Sequence, residues 1–389
     1  MATLILHNRS RIFHGHHWVY PADVKTTSYD PQPGDVVNLK DMRGRMLGCA
    51  IYNPHSNIVA RRFSFRKQDL DALFFTGRLN RAMQYRQAAG VDLNLCRLLW
   101  SESDGVPGLI VDKYGDHLVM QTLTYAMAQR EELIRDVLVT KLQPASITTR
   151  NEVNVRLAEK LPQEKKTLHG TAPAPFTIRY QGMVFHIDVL EGQKTGLYLD
   201  QLDNYLKVAA FAKGCRVLDV FSNQGGFAQA AALAGAKETT AVDVSDSAIQ
   251  ELQRNAHAAG VSIQAVTANA FDYLKAADTR GEKYDMIVLD PPSFTKNRDS
   301  VKDAKRGYKE LHLRALKMLE TGGHLFTYSC SHHVSTGDFM ETINDAAVDA
   351  KRTLRIVERY YQRADHPVLV GLQETEYLRG YALEVVAAW

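Results

Sequence analysis

Cysteine is scarce in this chain, and its spacing excludes several kinds of protein. Only Cys49, Cys96, Cys215 and Cys330 occur in 389 residues, and no two of them form a C-x-x-C pair. That argues against a zinc ribbon or a disulfide framework and fits a reducing compartment. No apolar run approaches the roughly 18–20 residues that span a bilayer. The opening, MATLILHNRSRIFHGHH, lacks a charged-then-apolar secretory pattern. The cytoplasm is therefore the expected location. The pyrophosphate-binding pattern G-x-G-x-x-G is also missing, which disfavours a nicotinamide dehydrogenase. No internal repeat or low-complexity segment interrupts the chain. Its length is too great for one typical domain and points to two or three.

Charge is unevenly spread. Residues 1–70 hold ten Lys/Arg against five Asp/Glu, so this segment carries +5 while the remainder carries −2. His7, His14, His16, His17 and His55 lie in the same segment. A small basic module on a near-neutral body suggests a polyanion-binding domain joined to a catalytic one, although a solvated basic surface would look the same.

Residues 1–68 read as short strands broken by turns, with a hairpin at Met42-Arg43-Gly44 and a further strand in IVARRFSF, a pattern that suggests a small barrel. Helical spacing follows over 69–89. GLIVDKYGDHLVMQTL reads as a hairpin turning at Tyr114-Gly115-Asp116, and a helix is expected over about 127–142. Residues 162–175, rich in proline and charge, read as a linker. FTIRYQGMVFHIDV alternates around Gln181-Gly182 as a third hairpin. The expected division is therefore 1–68, 69–175 and 176–389. From about 205 onward strands and helices alternate, which means a mostly parallel sheet covered by helices on both faces. The last two strands, LRIVERYY and YLRGYALEVV, have no helix between them and suggest an antiparallel edge pair. The fold class is multidomain α/β: an N-terminal small β-barrel, a central α+β domain and a C-terminal seven-stranded Rossmann-like sheet.

In VLDVFSNQGGFAQAAALAGA, Gly225 and Gly226 stand between a strand and a helix, where the backbone can approach a ligand closely. Asp219 lies near the end of that strand and could hold an ammonium group. Asp243 ends the next strand, 24 residues further on, where a carboxylate can accept hydrogen bonds from both hydroxyls of a ribose. Asn269 ends the third strand, where an adenine amino group could be read. Phe221, Ser222, Asn223, Val244 and Ala270 complete this expected set. The glycine pair alone would be an ordinary loop. Polar residues at three successive strand ends favour S-adenosylmethionine.

Asp290-Pro291-Pro292-Ser293-Phe294 ends the fourth strand and Cys330 the fifth. D-P-P is also a common turn, and a cysteine at a strand end is usually a small apolar residue. If the two strands are neighbours, however, Asp290 and Cys330 face one cleft. C5 of a cytosine is too poor a nucleophile to take a methyl group unaided. Attack on C6 by a thiolate turns the ring into an enamine, and a hydrogen-bonding group at N3 stabilises the charge that develops. Cys330 is the candidate nucleophile and Asp290 the candidate N3 partner and a member of the cofactor set. The polar flanks Ser329, Ser331, His332 and His333 argue against simple burial, and a nearby helix start with a cationic cofactor would favour the thiolate.

The whole chain resembles the RlmI-type 23S rRNA cytosine-C5 methyltransferases. The resemblance is carried by GHHWVYPADV, SESDGVPGLIVDKYG, QKTGLYLDQ, FSNQGGFA, VLDPPSF, RGYKELH, SCS and ADHP, in that order. It implies a PUA domain that binds RNA, a central α+β domain, and a class I methyltransferase domain with Cys330 as nucleophile. It further implies that Lys194, Thr195, Tyr198 and Asp200 help enclose S-adenosylmethionine, and that Arg306, Tyr308 and Lys309 lie near the substrate cleft. The implied partner is 23S rRNA, naked or in an assembling subunit, and a homodimer is compatible with it. Two departures stand out: Leu202 replaces a usual Arg, and Asn269 a common acid. Ser293 stands where other RNA cytosine methylases carry a second Cys, in agreement with the RlmI type. Two rival readings are an exocyclic-amine methylase using the D-P-P-S-F turn and a non-catalytic RNA-binding or ribosome-assembly protein.

Overall fold

The computed structural model describes residues 2–295 and 298–389, which fall into two compact units. The first comprises Met1–Phe176, Ile187–Asp200 and Ala364–Glu376. It begins with β1 (Thr3–Leu6), β2 (Trp18–Val19), β3 (Val24–Ser28), β4 (Val36–Lys40), β5 (Met46–Tyr52) and β6 (Ala60–Ser64). These form one sheet in the order β2-β6-β5-β4-β1-β3. The β4–β5 hairpin turns where expected, with Gly44 in the left-handed region at φ 80°. Alternate residues of β1 and β4 (Leu4, Leu6, Val37 and Leu39) are fully buried, the period-two pattern of strands with one face on a core.

After α1 (Ala72–Ala88) the same unit builds a second sheet from β7 (Leu95–Trp100), β8 (Leu109–Tyr114), β9 (His117–Thr122), β10 (Ser146–Arg150) and β11 (Lys165–Gly170). The helix expected over 127–142 is two pieces, α2 (Tyr125–Ala128) and α3 (Glu131–Leu142), followed by α4 (Asn154–Ala158). The expected linker over 162–175 needs correction. Residues 165–170 are β11, paired antiparallel with β10 at the sheet edge. Lysines and polar residues suit an edge strand, because charge there discourages pairing with other chains. That composition is why the segment read as a linker.

The second unit comprises Thr177–His186, Gln201–Arg363 and Tyr377–Trp389. Its hairpin, β12 (Phe176–Tyr180) and β13 (Met183–Ile187), turns through Gln181 and Gly182, both at positive φ. α5 (Leu202–Ala209) leads into alternating strands and helices: β14 (Arg216–Val220), α6 (Gly226–Leu233), β15 (Glu238–Asp243), α7 (Asp246–Ala259), β16 (Gln264–Thr267), α8 (Ala270–Thr279), β17 (Tyr284–Leu289), α9 (Val301–Met318), β18 (Leu319–Ser329), α10 (Thr336–Asp349), β19 (Arg352–Tyr361) and β20 (Arg379–Ala388). The sheet order is β16-β15-β14-β17-β18-β20-β19. Strands β14 to β18 pair in parallel and β19–β20 close one edge antiparallel, as expected. Central strands such as Ile287–Val288–Leu289 are buried without alternation, because helices cover both faces. The order reverses between β14 and β17, and ligands of open α/β sheets bind outside the carboxyl ends of strands at such a point.

Candidate active site

At the carboxyl end of β14 the chain makes a tight loop into α6. Phe221, Asn223 and Gly225 all take left-handed φ values of 66°, 47° and 83°. Two non-glycine residues in that region are held there by surrounding bonds. The Ser222 amide donates to the Val242 carbonyl (3.0 Å) and the Gly225 amide to the Ser222 carbonyl (2.8 Å). The Asn223 amide donates to Asp243 Oδ2 and the Ser245 amide to Asp243 Oδ1, both at 2.9 Å. Asp243 thus clamps the loops after β14 and β15, and each of its oxygens keeps a second lone pair for a hydroxyl. Beside it Val244 is 69% exposed, an open apolar surface next to that carboxylate.

Asp219 is fully buried on β14. Its Oδ2 accepts from the Ala228 amide (3.0 Å), while Oδ1 is buried with no hydrogen-bond partner among the described residues. Burial pushes its pKa up to about 8, and the nearby carboxylates Asp290 and Asp243 push the same way. Ser222 Oγ and Gln224 Oε1 are also buried without partners. A strand-end site with unsatisfied acceptors and negative neighbours fits a ligand of net positive charge. S-adenosylmethionine, with a sulfonium and an ammonium against one carboxylate, has that charge.

Asn269 caps α8, its Oδ1 accepting from the amides of Phe271 (2.9 Å) and Asp272 (3.4 Å). Its oxygen is therefore committed to the helix, which leaves its amide nitrogen as the side-chain donor. Ala270, the first residue of α8, is buried. Leu202, the other departure from the family pattern, is fully buried at the start of α5 and packs as a core residue.

β17 and β18 are parallel neighbours, so Asp290 and Cys330 both follow strands that end side by side. Cys330 Sγ lies 3.9 Å from the Pro291 carbonyl oxygen. Asp290 Oδ2 accepts from Gln201 Nε2 (3.0 Å), and Gln201 Oε1 accepts in turn from Asn204 Nδ2 (2.7 Å), which also donates to the Tyr361 carbonyl (3.0 Å). Sequence reasoning gave Gln201 no role. It closes the QKTGLYLDQ motif, but only the folded chain shows it orienting Asp290.

Tyr308 is one of the residues expected near the substrate cleft. It is fully buried, because on α9 it shares the core face with Leu311, His312 and Ala315. Its hydroxyl bonds Ser329 Oγ (3.0 Å) and Ser331 Oγ (2.9 Å), the residues on either side of Cys330. Ser331 Oγ also accepts from the Phe294 amide (3.0 Å). Tyr308 therefore fastens the Cys330 turn to the D-P-P-S-F turn from below. Burial pushes its pKa up to about 12, so it acts as a neutral hydroxyl. Arg306 and Lys309 lie on the outer side of α9, paired with Asp303 and, at 2.8 Å, with Asp349.

Lys194, Thr195, Tyr198 and Asp200 belong to the first unit. Lys194 Nζ lies 3.6 Å from Asp200 Oδ2 and 3.9 Å from the centre of the Tyr198 ring. Thr195 is buried, donating to Asp112 Oδ2 (2.6 Å) and bonded to the Tyr114 hydroxyl (2.9 Å). Its side chain is thus spent on holding its own loop. The ADHP motif is in this unit as well: Asp365 Oδ2 accepts from the Arg97 amide (3.0 Å) and the Asp365 carbonyl from Arg86 (2.9 Å), all buried structural contacts.

Residues 6–65 match the model of a PUA-like domain, and residues 140–373 that of an S-adenosylmethionine-dependent methyltransferase. The chain is 37% identical over 382 residues to ribosomal RNA large subunit methyltransferase I of Erwinia tasmaniensis, covering 95% of this chain and 96% of that one. It is 34% identical over 378 residues to the protein of the same name from Yersinia pestis, covering 95% and 96%. Among solved structures, the methyltransferase SMU.776 complexed with SAH superposes with a TM-score of 0.85 at 23% identity, covering 99% of this chain and all of that one. A Streptococcus mutans protein described as a SAM-dependent methyltransferase gives 0.83 at 22% identity with the same coverage. These two likenesses are of fold.

Proposed function

The chain belongs to the S-adenosylmethionine-dependent methyltransferase family that includes ribosomal RNA large subunit methyltransferase I, and we propose that it methylates C5 of a cytosine in 23S rRNA through a covalent adduct between Cys330 and C6. The observation that carries this reading is the pairing of β17 with β18, which sets Cys330 against the backbone of Pro291 and next to the turn of Asp290.

The Cys330 thiolate adds to C6, forming a C–S bond and moving the ring electrons toward N3 and C5. Asp290, oriented by Gln201, donates from its protonated carboxyl to N3, where charge collects. S-adenosylmethionine, when bound, supplies the methyl group that C5 accepts. Asp219, Asp243, Val244 and the 221–226 loop would hold it, with Asp243 on the ribose and Asp219 facing positive charge. A base then takes the C5 proton, its C–H electrons re-form the C5–C6 double bond, and the C6–S bond breaks to release the Cys330 thiolate. Lys194, Tyr198 and Asp200 are proposed as further donor-binding residues by family resemblance, and the buried Thr195 as the residue that holds their loop. Arg306 and Lys309 are proposed to meet RNA phosphates.

The test is nucleoside mass spectrometry of naked 23S rRNA and of assembling subunits, incubated with donor and either wild-type or Cys330→Ala protein. New 5-methylcytidine with wild type only is expected, with donor binding retained by the variant. An N-methylated base, or equal product from both proteins, would overturn the covalent route in favour of the exocyclic-amine reading. In that turn Phe294, the first aromatic after the prolines, packs on Tyr308 at 4.8 Å between ring centres, so no observation supports the alternative.

A further inference from the structure

In the first unit lies a cleft of ≈ 1070 Å³. Its walls are the end of β6 and the loop after it, one face of α1, the turn at residues 102–105, and residues 367–369. That lies just above the roughly 300–1,000 Å³ typical of small-ligand sites. Four arginines line it: Arg62, Arg66, Arg78 and Arg81. Among the described residues none of them has a carboxylate within ion-pairing distance, whereas the acids nearby are already engaged. Asp71 caps α1 through the Phe74 amide, Glu102 pairs with Arg61, and Asp104 pairs with Arg86.

Arg62 is 4% exposed, holds only the His16 and Leu47 carbonyls, and keeps a buried Nε without a partner. Burying a guanidinium without a counter-charge is costly, and an anion in the cleft would offset that cost. Its guanidinium stacks 4.1 Å from the centre of the Phe65 ring, which is nevertheless 68% exposed. Such a ring, backed by one cation and open to solvent, is a platform for a flat, electron-rich partner. Gly77, Arg78, Arg81 and Tyr85 continue the lining along α1 at helical spacing, Tyr85 being 47% exposed. Cation and aromatic ring alternate here, as in sites that track a phosphate backbone while stacking bases.

We propose that this cleft binds an unpaired stretch of RNA, one base stacking on Phe65 and the flanking phosphates meeting Arg62, Arg66 and Arg81. The inference rests on the reading of the protein as an RNA methyltransferase and adds a second RNA contact, apart from the reacting cytosine.

The experiment is fluorescence anisotropy with the full-length protein and a labelled oligocytidylate of about ten nucleotides, within the roughly 4–16 that such grooves hold. Phe65→Ala should weaken binding by about 5- to 150-fold, the loss for one stacked base, and Phe65→Trp should restore it. Arg66→Ala with Arg81→Ala should flatten the slope of log affinity against log salt by roughly 0.7 per arginine. S-adenosylhomocysteine titration should be unchanged in each variant, which also reports that they fold. Equal affinity of Phe65→Ala and wild type would overturn the proposal. So would a blunt duplex that binds as tightly as the single strand, or polyglutamate that competes as well as RNA. Loss of the cleft result with 5-methylcytidine formation intact would refute the cleft alone. Oligonucleotide binding without any 5-methylcytidine would refute the catalytic reading alone.

Discussion

Asp219 should make donor binding depend on pH. In the free protein its pKa is pushed up to about 8 by burial, with Asp243 and Asp290 adding repulsion and only the Ala228 amide favouring the anion. At pH 6 such a group is ionised in about 1% of molecules and at pH 7.5 in about a quarter. A cationic ligand selects the ionised form, so binding releases a proton and affinity must rise with pH. If only the carboxylate form binds, the gain between pH 6 and 7.5 is about 25-fold, or about 1.9 kcal/mol. The range stops there because an α-amino group begins to lose its own charge near 7.7–8.0. Isothermal titration of the donor in buffers of different ionisation enthalpy reads affinity and proton release together. About one proton should be released per donor at pH 6–7, and Asp219→Asn should abolish both the release and the slope. A flat affinity with no proton release in the wild-type protein would refute the assignment of Asp219 to the positive charge of the ligand.

Three further expectations come from other sites. Tyr308→Phe removes the hydroxyl that joins Ser329 and Ser331. At about 1–2 kcal/mol for the lost bonds, kcat should fall on the order of tenfold while donor affinity and KM stay put; an unchanged kcat would deny it a positioning role. Gly226→Ala places a Cβ 2.3 Å from Tyr205 Cζ. Such overpacking costs about 1–3 kcal/mol, to be read as a lower urea midpoint at constant slope, and an unshifted midpoint would show that the ring yields freely. His312 is fully buried against Thr327 Oγ1 (2.8 Å), and burial pushes its pKa down to about 3. Between pH 6.5 and 3 the unfolded chain takes up a proton that the folded chain refuses. Stability is therefore full above about pH 6.5 and falls as pH drops, by on the order of 4 kcal/mol at pH 3. His312→Gln should flatten that part of the acid-unfolding curve.

Local pattern was enough to recover most of the elements. Hairpins at Gly44, Gly115 and Gly182 and the alternation of strand and helix from β14 to β18 depend on near-neighbour chemistry: turn residues with positive φ and apolar periods of 2 or 3.6. The positions of Asp243 and the glycine loop at successive strand ends were legible in the same way. The edge strand β11 was not legible. A segment rich in lysine becomes a strand only because β10 offers it a partner.

Residue roles divided in the same way. Sequence singled out Cys330, Asp290 and the cofactor loop as chemistry-bearing, and by resemblance it also marked Tyr308, Lys194 and Thr195. Only the tertiary structure sent Tyr308 beneath the Cys330 turn, committed Thr195 to Asp112, set Gln201 on Asp290 and gathered unpaired arginines around Phe65. Residue type and spacing determine which groups can react. Which of them reach solvent, a ligand or only one another depends on contacts between residues far apart in sequence, 89 positions for Gln201 and Asp290 and 157 for Asn204 and Tyr361, and such contacts exist only after the sheet has ordered its strands.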